Sequence, residues 1–267
     1  MPSTTDAFFN IQETAGFYSQ LAGVLAGFSF AALMLLMTAR LAPAASGSSQ
    51  AGASNFGAAV RILIISFLGL VLTSLDYALL AGEIAGRHRA NTLEIVGGVS
   101  FAIAALLLVY AIILTIDAVN TAVAQPDSEL ESVAKTLRGT LALVLVPLSL
   151  MLIYNGIQDY NFAKYGHPRT TSLDYVTWSL IAVQVLAGTP LYFLLLGKGP
   201  TSSRIKEIKI VSYVAFIALL VISIVYSVII AAITDGGLGS PLIPYLCIVS
   251  SSVLAFLFVI HLARTHT

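Results

Sequence analysis

One acidic residue lies well inside an apolar stretch of the chain. Asp76 occurs in the segment LTSLDYALLAGE, and six residues separate it from Gly82. At the rise of an α-helix, this spacing places the carboxyl group about 9 Å inside the end of the helix. A carboxylate at that depth is costly unless it faces water, a partner or the interior of a helix bundle. Asp76 therefore predicts a cation or proton site, with a structural hydrogen bond to a neighbouring helix as the alternative.

Another apolar stretch ends in polar residues, in the segment YNGIQDYN. Asn155 and Asp159 are four residues apart, so they share one face of a helix, and Gln158 lies beside them. Together with Asp76, this pair predicts an acidic vestibule at one membrane surface. The alternative is a helix end whose polar side chains face water.

Further polar side chains lie near the middle of three later apolar stretches. They are Gln184, Ser223, Ser227 and Ser251, the last within the serine run 250–252. In line, these groups would form a hydrophilic track across the membrane. The alternative is that each one bonds a neighbouring helix or a carbonyl of its own helix, as such residues commonly do.

A fourth polar group lies near the C-terminal end of the third apolar stretch, on the predicted cytoplasmic side. Asp117 and Asn120 are three residues apart and share a helical face. They predict either an inner gate, a pairing of Asp117 with Arg138, or a solvated helix end.

Seven apolar stretches joined by short polar connectors position all these residues. Each is about 20 residues or longer, the length that a helix needs to cross a hydrocarbon core of about 30 Å. A soluble domain of 267 residues cannot bury so much apolar surface. The sequence predicts an all-α fold, a single polytopic transmembrane bundle over residues 1–267. Its seven spans are 15–38, 58–82, 93–115, 137–158, 176–196, 210–233 and 242–262.

Composition agrees with a membrane protein and excludes several other classes. Hydrophobic residues make up 58% of the chain, charged residues 10%, and the mean hydropathy is +0.92. A formal net charge of zero argues against a nucleic-acid partner. A single cysteine, Cys247, excludes an intrachain disulfide and any paired-cysteine metal site. No catalytic signature, metal site or cofactor motif is predicted, and the protein is not expected to be an enzyme.

The distribution of basic residues predicts the orientation of the spans. The first, third and fifth connectors with the C-terminus hold nine Lys and Arg, against four on the other side. Because basic residues concentrate on the cytoplasmic side, the N-terminus is predicted outside and the C-terminus in the cytoplasm. A cell membrane is expected, most simply the bacterial inner membrane. Eight of the thirteen acidic residues fall on the predicted outer side: Asp6, Glu13, Asp76, Glu83, Glu94, Asp159, Asp174 and Asp235.

Two patterns predict contacts beyond the single bundle. Gly23 and Gly27 form a GxxxG pair in the first span, where small residues let another helix approach closely, inside the bundle or in a homo-oligomer. The fifth connector carries four basic residues, which predict contact with anionic lipid headgroups. These are Lys198, Arg204, Lys206 and Lys209.

Prolines and a capping pattern predict where helices bend and begin. Pro147 lies inside the fourth span, where it removes a backbone donor and favours a kink, and Pro190 lies in the fifth span toward its cytoplasmic end. Ser128 and Glu131 have the spacing of a capping box, so a helix is expected to open there.

These features favour a passive ion channel or small-solute transporter with an acidic outer vestibule. Carboxylate and hydroxyl groups along the path would replace the water of hydration. The alternative is a non-catalytic membrane subunit that anchors or assembles partner proteins.

Overall fold

The computed structural model describes residues 11–41, 50–83, 88–122, 128–165, 170–195, 204–226 and 242–264. All regular structure in these ranges is helical. The α-helices are α1 (Ile11–Leu41), α2 (Gln50–Ala81), α3 (His88–Ala122), α4 (Ser128–Thr140), α5 (Val146–Tyr165), α6 (Ser172–Val183), α7 (Thr189–Leu195), α8 (Arg204–Leu220) and α9 (Leu242–Arg264).

Six helical segments are long and apolar enough to cross a membrane, which makes this a multi-pass membrane protein by helix length and composition. They are Gln12–Thr38, Phe56–Ala81, Arg89–Asn120, Ser128–Phe162, Ser172–Leu195 and Leu242–Ala263. The sixth predicted span, 210–233, is described as far as residue 226 and includes the shorter apolar helix Tyr213–Ile224, and residues 227–233 lie outside the described residues. The seventh crossing and the orientation therefore stay predictions.

The fourth span is longer than its predicted range of 137–158. A helix does open at Ser128, as the capping pattern predicts, but it continues without a break through α4 into α5. The polar first turns of α4 and the apolar span thus form one helical rod, Ser128–Phe162.

Three short π-helical segments interrupt the later helices, at Leu141–Leu145, Gln184–Gly188 and Val221–Tyr226. The first two end two residues before Pro147 and Pro190 respectively. A proline ring clashes with the carbonyl one turn earlier in an α-helix. The wider π turn relieves this clash, so the distortion predicted at Pro147 takes this form, and the same form occurs before Pro190.

Helix α1 packs on α2 through a stripe of small residues with heptad spacing. Its buried members are Ala15, Ala22, Ala26, Ser29 and Leu33. The same stripe includes Ser19, whose Oγ donates to Ser74 O at 2.9 Å. The predicted GxxxG residues lie outside this seam, since Gly23 and Gly27 are exposed and only Gly23 borders α2, near Ser74. Their role in an oligomer remains a prediction.

Gly69 marks the closest approach of helices in the core. A Cβ at this position would lie 2.8 Å from Leu219 Cδ1 and 3.0 Å from Ala104 Cβ. Gly69→Val should therefore lower the free energy of unfolding by about 1–3 kcal/mol through overpacking. Thermal unfolding in detergent, followed by circular dichroism, measures the effect. Gly57→Val in the same helix is the matched control, because nothing lies within 4 Å of its Cβ position. Equal losses in both variants would contradict tight packing at Gly69.

Candidate functional site

Several helix ends meet at one end of the bundle, which we call the acidic end. Here α1 and α3 begin and α2 and α5 end. Gln12 Nε2 donates to Glu83 O at 2.5 Å, and Arg89 pairs with Glu83 at 2.9 Å. Asn91 Nδ2 donates to Asp159 O at 2.8 Å, which ties α3 to α5. These contacts position the carboxylates described next.

Asp76 is buried at the acidic end, on the part of α2 that faces the bundle. The next residue, Tyr77, packs its ring over Gly97, at 3.4 Å from the position that a Cβ there would take. The ring also stacks on Tyr18, with centroids 5.3 Å apart, and Tyr18 contacts Phe101. An aromatic layer of Tyr18, Tyr77 and Phe101 thus lies beside Asp76, on the bundle side.

Glu94 is the residue that the sequence analysis missed, since it was counted only among the outer acids. It lies on α3 about 9 Å from the start of the helix, with its Oε2 atom buried. Within the described part of the chain, no donor forms a hydrogen bond with this oxygen. The absence of a side chain at Gly156 makes room for Glu94, whose Cγ is 3.9 Å from the position of a Cβ there. Its position one residue inside the third predicted span is the sequence feature that could have identified Glu94 as a candidate.

The carboxylates at this end interact with one another. Asp159 lies close enough to Glu94 for the two carboxyl groups to interact electrostatically, and the Tyr77 hydroxyl lies within the same range of Glu94 and Asp76. Three helices, α2, α3 and α5, therefore each supply one acid. Buried carboxylates at this depth are costly as bare anions and need a proton, a cation or water. The arrangement is able to take up and release protons, or to attract a small cation.

Asp174 shows how a buried carboxylate is satisfied elsewhere at the same end. It accepts hydrogen bonds from Asn161 Nδ2 at 2.8 Å, from Thr171 N at 2.7 Å and from Thr171 Oγ1 at 2.8 Å. Gln158 Nε2 donates to its other oxygen. These contacts cap the start of α6 and join it to α5. Asp174 therefore has a structural role, whereas Glu94 Oε2 has no such donors among the described residues.

The predicted vestibule residues differ in burial. Asp76 is buried and Asp159 is half-buried, but Asn155 is exposed on the surface of α5. Asn155 and Asp159 share a face of α5 that only partly turns inward, and the vestibule itself stays a prediction.

Two of the four predicted mid-membrane groups form hydrogen bonds, one to another helix and one within its own helix. Ser223 Oγ donates to Ser100 Oγ at 2.8 Å, which joins the third π segment to α3. Ser251 Oγ donates to Cys247 O at 2.7 Å, within its own helix. Gln184 is buried in the second π segment, with its amide folded over Gly188. Ser227 lies outside the described residues.

The opposite end of the bundle contains a buried ion pair. Arg138 Nη2 donates to Asp117 Oδ2, and both side chains are largely buried. Of the alternatives for Asp117, the pairing with Arg138 is confirmed. This bond joins α3 to α4. The predicted lipid contact of Lys198, Arg204, Lys206 and Lys209 stays a prediction, because Lys198 and the side chains of the other three lie outside what is described.

No group of three His, Cys, Asp or Glu side chains able to hold one metal ion occurs within the described ranges. Comparisons with protein-family models, with curated proteins and with solved structures gave no match. The class is thus defined by the helices themselves, as a multi-pass helical membrane protein, and its activity is inferred from the geometry of the acidic end.

Proposed function

We propose that this protein is a passive channel or transporter for a small cation, with the proton as the first candidate. The observation that carries the proposal is the buried Oε2 of Glu94, which no described donor satisfies and which lies near Asp159. A membrane carboxylate in this condition commonly marks an ion or proton pathway. The activity proposed is non-enzymatic.

The arrangement of donors favours a proton over a metal cation. Direct binding of a metal needs several ligands at fixed distances, and the described acids do not form such a group. A single carboxylate is sufficient to carry a proton. The eight acidic residues of the predicted outer side would also raise the local concentration of cations near the site.

Passage of a proton or another small cation beyond the acidic end would require the helices to move. The aromatic layer of Tyr18, Tyr77 and Phe101 lies beside the acids, and the hydroxyls of Ser223 and Ser251 are already bonded. The π segments next to Pro147 and Pro190 are the places where spans four and five bend most readily. We infer that the present arrangement is a closed one, and that bending there opens the path.

The alternative function is a non-catalytic membrane subunit. It is favoured by the outward face of α1, which exposes Phe17, Phe28 and Leu35 next to Gly23 and Gly27. Small residues on such a face allow another transmembrane helix to pack closely. A homo-oligomer would use the same face.

Flux through liposomes that contain only this protein tests the two functions. We expect proton or potassium flux driven by an applied gradient, reduced at least about tenfold in Asp76→Asn, which cannot carry a negative charge or release a proton. A pH-sensitive dye inside the vesicles reports the rate. Absence of flux in the unaltered protein, together with stable co-purification of another membrane polypeptide, would overturn the channel and support the subunit.

A further inference from the structure

A cavity of about 280 Å³ lies between four helices, away from the acidic end. Its walls come from residues 99–107 of α3, 149–153 of α5, 210–215 of α8 and 251–261 of α9. In α9 these residues run from the middle of the helix almost to its end at Arg264. The cavity therefore extends from the middle of the bundle toward the end where the Asp117–Arg138 pair lies.

The walls are apolar apart from three side chains. Ser149 and Ser251 line the middle of the cavity, and His261 lines it near the end of α9. An apolar pocket with a few polar groups is the usual form of a site for a small apolar ligand. Its volume is close to the lower limit of about 300 Å³ for such pockets.

The imidazole of His261 contacts Tyr110 on the side that faces away from the cavity. His261 Nε2 and the Tyr110 hydroxyl share a hydrogen bond of 2.5 Å. The Tyr110 ring meets the imidazole edge-on at 5.5 Å and meets Phe258 in the same way at 5.4 Å. The orientation of His261 is thus set by Tyr110 and Phe258, so this wall of the cavity is rigid.

The two serines offer oxygen atoms as acceptors. Ser149 Oγ donates its hydrogen to Val146 O at 2.7 Å, and Ser251 Oγ donates to Cys247 O at 2.7 Å. Their remaining hydrogen-bonding capacity is the hydroxyl lone pairs. A ligand that complements them must bring a donor, and the simplest uncharged donor is a hydroxyl group.

We propose that this cavity binds a neutral lipid, a single long aliphatic or isoprenoid chain that ends in a hydroxyl group. The chain occupies the apolar part between α3, α8 and α9, and its hydroxyl donates to Ser149 or Ser251. The lining contains no Lys or Arg, so it does not favour a fatty-acid carboxylate or a phosphate. This site is independent of the proposed cation pathway.

Photo-crosslinking of the full-length protein in liposomes tests the site. The probe is a long-chain primary alcohol that carries a diazirine in its chain, and the matched probes are the alkane and the fatty acid of the same length. We expect the alcohol to label residues 99–107 and 251–261 in preference to both matched probes. The double variant Ser149→Ala, Ser251→Ala removes both possible acceptors and should reduce that labelling about threefold, the effect of the one hydrogen bond lost.

A second variant tests the position of the chain. Ala255→Phe fills the cavity and should abolish labelling there, whereas Ala182→Phe on the exposed face of α6 should leave it unchanged. If Ala255→Phe does not fold, the double serine variant and the labelled sites of the unaltered protein still decide the question. Equal labelling by the alkane would overturn the proposal in favour of ordinary bilayer tails. Stronger labelling by the fatty acid, or labelling spread evenly over the outer surface, would overturn it as well.

Discussion

Glu94→Gln is expected to reduce proton or potassium flux through liposomes to the background of empty vesicles. Glutamine keeps the shape of the side chain and its place beside Gly156, but it can neither release a proton nor attract a cation by charge. Because the buried Oε2 of Glu94 is the centre of the proposed site, this change removes the function without removing packing. The measurement is the initial rate of dye quenching after a pH or potassium gradient is applied.

Glu83→Gln is the matched control for this variant. It removes the same charge at the same end of the bundle, but from a half-buried residue whose charge is already paired with Arg89. Because Arg89 neutralises Glu83, we expect less than about a twofold change in flux. If Glu83→Gln and Glu94→Gln reduce the flux equally, the effect comes from the total charge at this end and the buried carboxylate is not the site. If Glu94→Gln conducts normally, Glu94 is not the proton or cation site and the proposal is wrong.

Asp117→Ala is expected to lower the free energy of unfolding by about 3–5 kcal/mol, the usual cost of leaving a buried charge without its partner. Arg138 is 4% exposed, so its guanidinium would lose the Asp117 carboxylate as counter-ion and would remain buried. Thermal unfolding in detergent gives the size of the change, and the loss should be accompanied by increased proteolysis near the junction of α3 and α4.

Two further variants separate the charge from the packing. In Asp117→Leu with Arg138→Leu, no charge is left unpaired, so most of the stability should return. Glu131→Gln breaks the exposed pair with Lys135, at 2.7 Å, and should cost only about 0.3–0.5 kcal/mol. A double variant that is as unstable as Asp117→Ala would show that hydrogen bonding around the pair, rather than the lone buried charge, dominates.

Six of the seven predicted spans correspond to long apolar helices in the structure, because hydropathy is a property of consecutive residues. The predicted start or end of several spans differs from the structure by a few residues, as for 15–38 against Gln12–Thr38 and 242–262 against Leu242–Ala263. The fourth span was predicted too short, since the polar turns after Ser128 carry no hydropathy signal although they continue the same helix. Pro147 indicated the distortion of its own helix correctly, because the missing donor and the ring clash act within one turn.

The candidate site was less well predicted, because it depends on which faces of different helices meet. Asp76 was singled out from its depth in one apolar stretch, and its side chain is buried in the structure. Asn155 was paired with Asp159 from helical spacing and placed beside Asp76 because both lie at the same end of their spans, yet the rotation of α5 turns Asn155 outward and brings Gly156 toward Glu94. Rotation about the helix axis is set by packing between helices, which residues close in sequence do not determine.

Glu94 and Asp174 show most clearly which properties follow from the sequence and which depend on the tertiary structure. In the sequence both are acids on the predicted outer side at the start of an apolar stretch, and they differ only in that Glu94 lies one residue inside its span and Asp174 two residues before its own. In the structure Asp174 accepts four hydrogen bonds from Gln158, Asn161 and Thr171, whereas Glu94 Oε2 accepts none from the described residues. The sequence by itself determined that lipid surrounds these helices, since that follows from the length and composition of each stretch. Only the tertiary structure decided which buried carboxylate is satisfied, because hydrogen-bond partners are brought together by contacts between segments far apart in the chain.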